Sequence, residues 1–155
     1  MKSLLVLALC SIALLAGCDS MSSRVHDRFT AVAPQTRLFA ADRRTVFNAG
    51  LAAVKNVDLL VGHKSLAQGL IEAYAPIRQG DAVHDTRQTT LKITLTETDD
   101  GQTQVGLLVS DNTEGTFPGG VSEQDLRQHS LYELYFSALQ QVLLENGAIK
   151  PAPNP

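Results

Sequence analysis

The clearest pattern in the chain is a two-residue alternation. Leu91, Ile93 and Leu95 alternate with Lys92, Thr94 and Thr96, and beyond Asp99, Asp100 and Gly101 the alternation resumes with Val105, Leu107 and Val109. Successive side chains of a strand point to opposite faces, so each run reads as a strand with one dry face, and the turn residues between them predict an antiparallel hairpin. Two weaker runs precede it. Asp58 to His63 sets Val57, Leu59 and Val61 against Leu60, while Leu70 to Ala75, bracketed by Gly69 and Pro76, sets Ile71, Ala73 and Ala75 against Leu70, Glu72 and Tyr74.

The spacing turns helical on either side of these strands. Val46, Phe47, Leu51, Val54 and Val57 follow Asp42, a residue suited to an N-cap. Leu131, Leu134, Tyr135, Ala138, Leu139 and Val142 form a second apolar stripe. Ser122 and Asp125 resemble a capping box for that helix, with aspartate in place of the usual glutamate, and Gly147 fits its C-terminal stop. Gly115, Pro118, Gly119 and Gly120 predict an exposed loop over Asp111 to Val121, and Pro151, Pro153 and Pro155 a frayed tail.

A helix, up to four strands and a longer helix predict an α+β fold: a two-layer arrangement in which a three- to four-stranded antiparallel sheet carries both helices on one face. The covered face is expected to hold Leu91, Ile93, Leu95, Val105, Leu107 and Val109. The other keeps Leu60, Tyr74, Thr94, Thr96 and Leu108, among which Leu60, Tyr74 and Leu108 are the candidate partner face.

The N-terminal pattern is different. Lys2 precedes an apolar run, Leu4 to Leu15, too short for a bilayer, and the run closes on Leu15, Ala16, Gly17 and Cys18. This tetrapeptide resembles the lipobox of bacterial lipoproteins. The resemblance implies diacylglycerol on the Cys18 sulfur, cleavage between Gly17 and Cys18, and acylation of the new amine; two or three acyl chains at about 0.8 kcal/mol per buried methylene hold a domain on a membrane where one does so only marginally. The expected organisation is a signal peptide over 1–17, a lipidated cysteine and flexible tether over 18–36, a single domain over 37–150 and a disordered tail over 151–155. Ser20, Ser22, Ser23 and Pro34 mark the tether, whose length corresponds to a span on the order of 25 Å. Asp19 resembles the inner-membrane retention signal of enteric lipoproteins, so the expected location is the periplasmic side of the envelope, with the inner membrane preferred to the outer.

Composition narrows the function classes. Cys10 falls in the segment expected to be removed, so the mature chain has no free thiol for a disulfide, a thiolate nucleophile or a cysteine-ligated zinc. The formal charge of -3, or -4 without Lys2, argues against nucleic acid as a partner. Five arginines face three aspartates between Asp19 and Arg44, whereas from Glu97 to Glu145 nine acidic residues face only Arg127.

Candidate chemistry is sparse. His129 and Glu133 sit at a one-turn spacing that holds a metal only if ligands arrive from elsewhere. His63, Ser65, His84 and Asp85 lack the elbow motif of a serine hydrolase, and the Gly115 to Gly120 stretch lacks a phosphate loop's lysine. Neither an enzyme nor a cofactor is expected.

In layout the chain resembles the domains of BamC-type lipoproteins, accessory subunits of the outer-membrane protein assembly machine. The likeness spans Arg37 to Asn146 and rests on element order and the Gly69 to Tyr74 stretch of a GLIEAYAP segment. BamC-type proteins carry more than one such domain, and this chain has room for one. The resemblance implies a non-catalytic accessory or scaffold subunit with an envelope protein partner, and the open sheet face or the Asp111 to Val121 loop is the surface expected to dock it. The alternative is a periplasmic small-ligand or lipid binder, which needs a cleft between sheet and helices lined by Phe47, Tyr132 or Phe136.

Overall fold

The computed structural model describes residues 31–76, 86–114 and 121–150. Leu15, Ala16, Gly17 and Cys18, most of the expected tether, His26, the His84–Asp85 pair and the glycine-rich stretch 115–120 lie outside the described residues. In chain order the elements are β1 (Gln35–Phe39), α1 (Arg43–Asn56), β2 (Leu60–Ser65), β3 (Leu70–Tyr74), β4 (Thr86–Glu97), β5 (Thr103–Glu114), β6 (Val121–Leu126) and α2 (Ser130–Glu145).

The fold is α+β, an antiparallel sheet with two helices on one face. The sheet has six strands, where the alternation predicts three or four. The predicted hairpin is its centre, β4 and β5 pairing without interruption from Thr86↔Glu114 to Glu97↔Thr103. On the far side of β4 lie β3 and then β2. The other edge of β5 is divided between two strands, β1 along Thr103–Leu107 and β6 along Val109–Glu114. These are the strands the pattern misses. In β1 the inward positions are Gln35, Arg37 and Phe39, of which only one is apolar, and β6 (VSEQDL) has too few apolar residues to alternate.

Ser122 and Asp125 therefore belong to β6, and the expected capping box is not formed. The true N-cap of α2 is His129, whose Nδ1 accepts from the Leu131 amide at 3.2 Å. The Asp42 cap forms as expected: its carboxylate accepts from the Thr45 amide at 3.0 Å and the Thr45 hydroxyl at 2.6 Å, and these bonds hold it below the usual carboxylate range. Gly147, at φ +66°, ends α2 in a Schellman motif, with Ala148 N–H donating to the Leu143 carbonyl and Gly147 N–H to that of Leu144. The end of α1 has the same motif with Asp58 in the left-handed position, φ 58°, Leu59 N–H reaching the Val54 carbonyl. Asp58 is thus a helix stop, not the start of a strand, and β2 begins at Leu60.

The core lies between sheet and helices. Leu91, Ile93, Leu95, Val105, Leu107 and Val109 are all buried there, joined by Ile71 and Ala73 of β3. Each fully buried aliphatic side chain contributes about 1.5–3 kcal/mol. The inward stripe of α2 runs through Tyr132, Tyr135, Phe136, Leu139 and Leu143, rotated from the predicted one, so Leu134 points out with 54% of its surface exposed. On α1 the buried stripe includes Ala49, Gly50 and Ala53, whose small side chains carry little hydrophobic signal but let the helices approach. A Cβ at Gly50 would stand 3.0 Å from the Tyr135 hydroxyl, which sets the depth of that approach.

Three side chains of α2, Tyr132, Glu133 and Phe136, join it to the divided edge. The Tyr132 hydroxyl accepts from the Val109 amide at 3.2 Å and donates to the Leu126 carbonyl at 2.7 Å, bridging β5 and β6 just past the end of the β1 pairing. Arg37 of β1 lays its guanidinium 4.6 Å from the Phe136 ring centroid and pairs with Glu133 at 2.7 Å.

Candidate docking face

The face of the sheet away from the helices carries no covering element among the described residues. Strand register sorts its side chains into rows across the sheet. One row runs His63, Glu72, Lys92, Leu108, and the next runs Leu60, Tyr74, Thr90, Ser110, Asp125. A third holds Gln88, Asn112 and Glu123. The expected partner-face residues Leu60, Tyr74 and Leu108 all fall on this face. Leu60 is 50% exposed, and Tyr74 and Leu108 are half-buried. Leu38 of β1, 56% exposed, is a further apolar residue here, invisible in the sequence because its strand is.

The relief of this face follows from residue size. Thr90 and Ser110 are small and sit at the middle of their row, whereas Tyr74, Lys92, Leu108, Gln88 and Asp125 stand around them. The result is a pit of about 610 Å³. Asp125 is fixed on its wall by the Ser110 hydroxyl, which donates at 2.7 Å. Tyr74 is fixed on the opposite side by a β-bulge in β2 at Gly62, where a Cβ would come within 3.0 Å of the ring. Glycine at the bulge lets the ring lie against the β2 backbone.

A second concavity, about 820 Å³, opens where the end of α1 meets the start of α2, with Val57, Leu59, Ala75, Arg87, His129 and Leu131 on its walls. Phe47, Tyr132 and Phe136 line neither space; all three are packed in the core. The residues expected to line a ligand cleft between sheet and helices are thus committed to packing.

The remaining candidates of the sequence are in structural use or on the open face. His129 caps α2 and Glu133 pairs with Arg37, so the two are not directed at a common point. Ser65 accepts from the Gln68 amide in the β2–β3 turn, and His63 lines the pit. Among the described residues no group of three or more histidine, cysteine, aspartate or glutamate side chains converges on a metal-sized space, and no helix is long and apolar enough to cross a membrane.

Glu123 and Asp125 form the acidic wall of the pit, and the capping-box pattern of Ser122 and Asp125 conceals it. Its signal is the i, i+2 spacing of like charges, which puts both carboxylates on one face of a strand.

No protein-family model matches the chain, and no curated protein matches it. A search of solved structures finds a similarity to a DUF4468 family protein from Bacteroides ovatus ATCC 8483, with 11% sequence identity and a TM-score of 0.34 over 78% of this chain and 88% of that one.

Proposed function

We propose that the protein is a lipid-anchored envelope lipoprotein on the periplasmic side, acting as a non-catalytic accessory or scaffold subunit that docks an envelope protein through its open sheet face. The lipobox-like Leu15–Cys18 supports the anchor. The observation that carries the docking reading is the contrast between the two faces of one sheet. One is sealed by both helices over Ile93, Val105 and Leu107, and the other leaves Leu60 exposed next to Tyr74, with Tyr74 and Leu108 on the rim of a walled pit. Exposed apolar residues grouped around a concavity are the usual mark of an interaction surface.

The test is recovery of the tagged, lipidated chain from crosslinked native membranes, followed by mass spectrometry of what accompanies it. A reproducible envelope protein at near-equal amount is expected. Leu108→Glu, on the open face, is expected to leave the thermal melt unchanged and to abolish capture of that protein; equal capture by the variant removes the docking reading. The anchor is checked independently: the mature N-terminal peptide is expected to begin at Cys18 and to carry the mass of a diacylglyceryl group.

A further inference from the structure

We infer that the pit on the open face receives a basic side chain, an arginine, from an extended segment of the docked partner. The inference rests on the docking reading above and names the chemistry of the partner. Its first ground is charge. Three carboxylates line the pit, Glu72, Glu123 and Asp125, against one obligate cation, Lys92. Glu72 lies directly opposite Lys92 in the β3–β4 register, whereas Glu123 and Asp125 stand opposite the uncharged Asn112 and Ser110.

Shape is the second ground. The floor is the Thr90–Ser110 pair, and the aromatic wall and the acidic wall belong to the same row, Tyr74 on β3 and Asp125 on β6. Three strand spacings separate them, about 14 Å between backbones. The Tyr74 ring lies over Gly62 and the Asp125 carboxylate turns toward Ser110, so the floor between them is open to one planar cation, bounded by the ring on one side and the carboxylate on the other. Guanidinium suits both walls, since it stacks on aromatic rings and takes carboxylates through paired N–H groups, while its aliphatic stem suits the Leu108 rim. Both walls are held in place beforehand, Tyr74 by the Gly62 bulge and Asp125 by the Ser110 hydroxyl, so little ordering is left for the partner to induce.

The same features disfavour other occupants. An anionic lipid headgroup would meet Glu123 and Asp125. A second copy packed face to face would set these carboxylates against their own counterparts, and pairing edge to edge is hindered by the bulge and the exposed Lys64 of β2.

The experiment uses the mature lipidated chain in neutral detergent and a fluorescein-labelled hexapeptide of alternating arginine and serine, read by fluorescence anisotropy at low salt. Binding is expected, with loss of at least tenfold in affinity for the Glu123→Gln/Asp125→Asn variant and less than twofold for Asp99→Asn/Asp100→Asn, which removes the same charge at the β4–β5 turn. Asparagine at 125 keeps an acceptor for the Ser110 hydroxyl, so the melt of the first variant should match that of the parent. Replacing arginine by citrulline, which keeps the shape and removes the charge, is expected to abolish binding. Equal losses for the two charge variants, equal binding of the citrulline peptide, or no binding of the arginine peptide would each overturn the inference. Failure of the wider reading is distinguishable: if Leu108→Glu loses the envelope partner while Glu123→Gln/Asp125→Asn retains it, docking stands and the arginine pit falls.

Discussion

Two tyrosines three residues apart on α2 show how little the residue type alone decides. Tyr132 and Tyr135 are both buried, but the Tyr132 hydroxyl has a donor and an acceptor waiting at the β5–β6 junction, whereas the Tyr135 hydroxyl has no hydrogen-bond partner among the described residues. Burying an unpaired hydroxyl costs about 1–3 kcal/mol, and deleting a paired one leaves its partners with that cost. The same substitution should therefore have opposite signs at the two positions. Tyr135→Phe is expected to raise stability by about 1 kcal/mol and Tyr132→Phe to lower it by about 2 kcal/mol, read as shifts of the urea midpoint. Burial also pushes the Tyr135 phenol well above its ordinary pKa of 10.0. The unfolded chain loses that proton near pH 10 while the folded chain holds it, so the group gives stability no pH dependence below pH 10 and lowers it by about 1.4 kcal/mol per pH unit above. Melts between pH 9 and 11.5 should show a shallower alkaline decline for Tyr135→Phe than for the parent; matching declines would mean that the hydroxyl reaches water in the fold.

At the scale of elements, the joints between helices and strands separate what the sequence makes legible from what it does not. Asp42 and Gly147 are readable as helix ends because a carboxylate at an N-cap and a glycine beyond a last turn each match a local backbone need. Asp58 is not readable in that way. It holds the same left-handed conformation as Gly147 with a side chain that disfavours it, and it places a negative charge at the negative end of α1. Asp58→Gly removes both penalties, and a gain of about 0.5–1 kcal/mol is expected in the denaturant midpoint. Gly69 is the reverse case. It turns β2 into β3 at φ +63°, and a methyl group there would overlap the Leu95 carbonyl oxygen, whose residue also donates its amide to the Gly69 carbonyl. Gly69→Ala is expected to cost about 2–4 kcal/mol, the dihedral penalty plus the displacement of β4. Gly101, at φ +71° with open space around it, carries only the dihedral term, so Gly101→Asn should be close to neutral. If Gly69→Ala were as mild as Gly101→Asn, the backbone contact at Leu95 would not constrain the sheet. The strands divide along similar lines: β4 and β5 announce themselves because Leu91, Ile93, Leu95, Val105, Leu107 and Val109 form unbroken aliphatic alternations, while β1 and β6 owe their place to hydrogen bonding along the β5 edge, which leaves no hydrophobic period. Tyr74 and Leu108 of the candidate site were legible from that alternation. Its acidic wall was not, because it stands on β6.

At the scale of the molecule, the proposed anchor and the open face act on the same equilibrium. Confinement to a membrane raises the concentration of one partner around the other, so a docking contact that is weak in solution becomes well occupied without any new contact. A partner held by a single pit and the apolar side chains around it fits that regime, since a small contact supports only modest affinity once ordering costs are met. The two contributions can be separated. Exchanging residues 1–17 for an ordinary secretory signal together with Cys18→Ser should release the domain into the periplasm with its melt and its arginine-peptide affinity unchanged, and should lower capture of the envelope partner on the order of a hundredfold at equal expression. Capture should return as the soluble form is overproduced, because only concentration has been lost. Leu108→Glu with Cys18 intact should behave in the opposite way, remaining in the membrane fraction and failing to capture at any level. Full capture by the soluble form at low expression would show that the face binds tightly without the membrane, and the role assigned to the anchor would then be one of address alone.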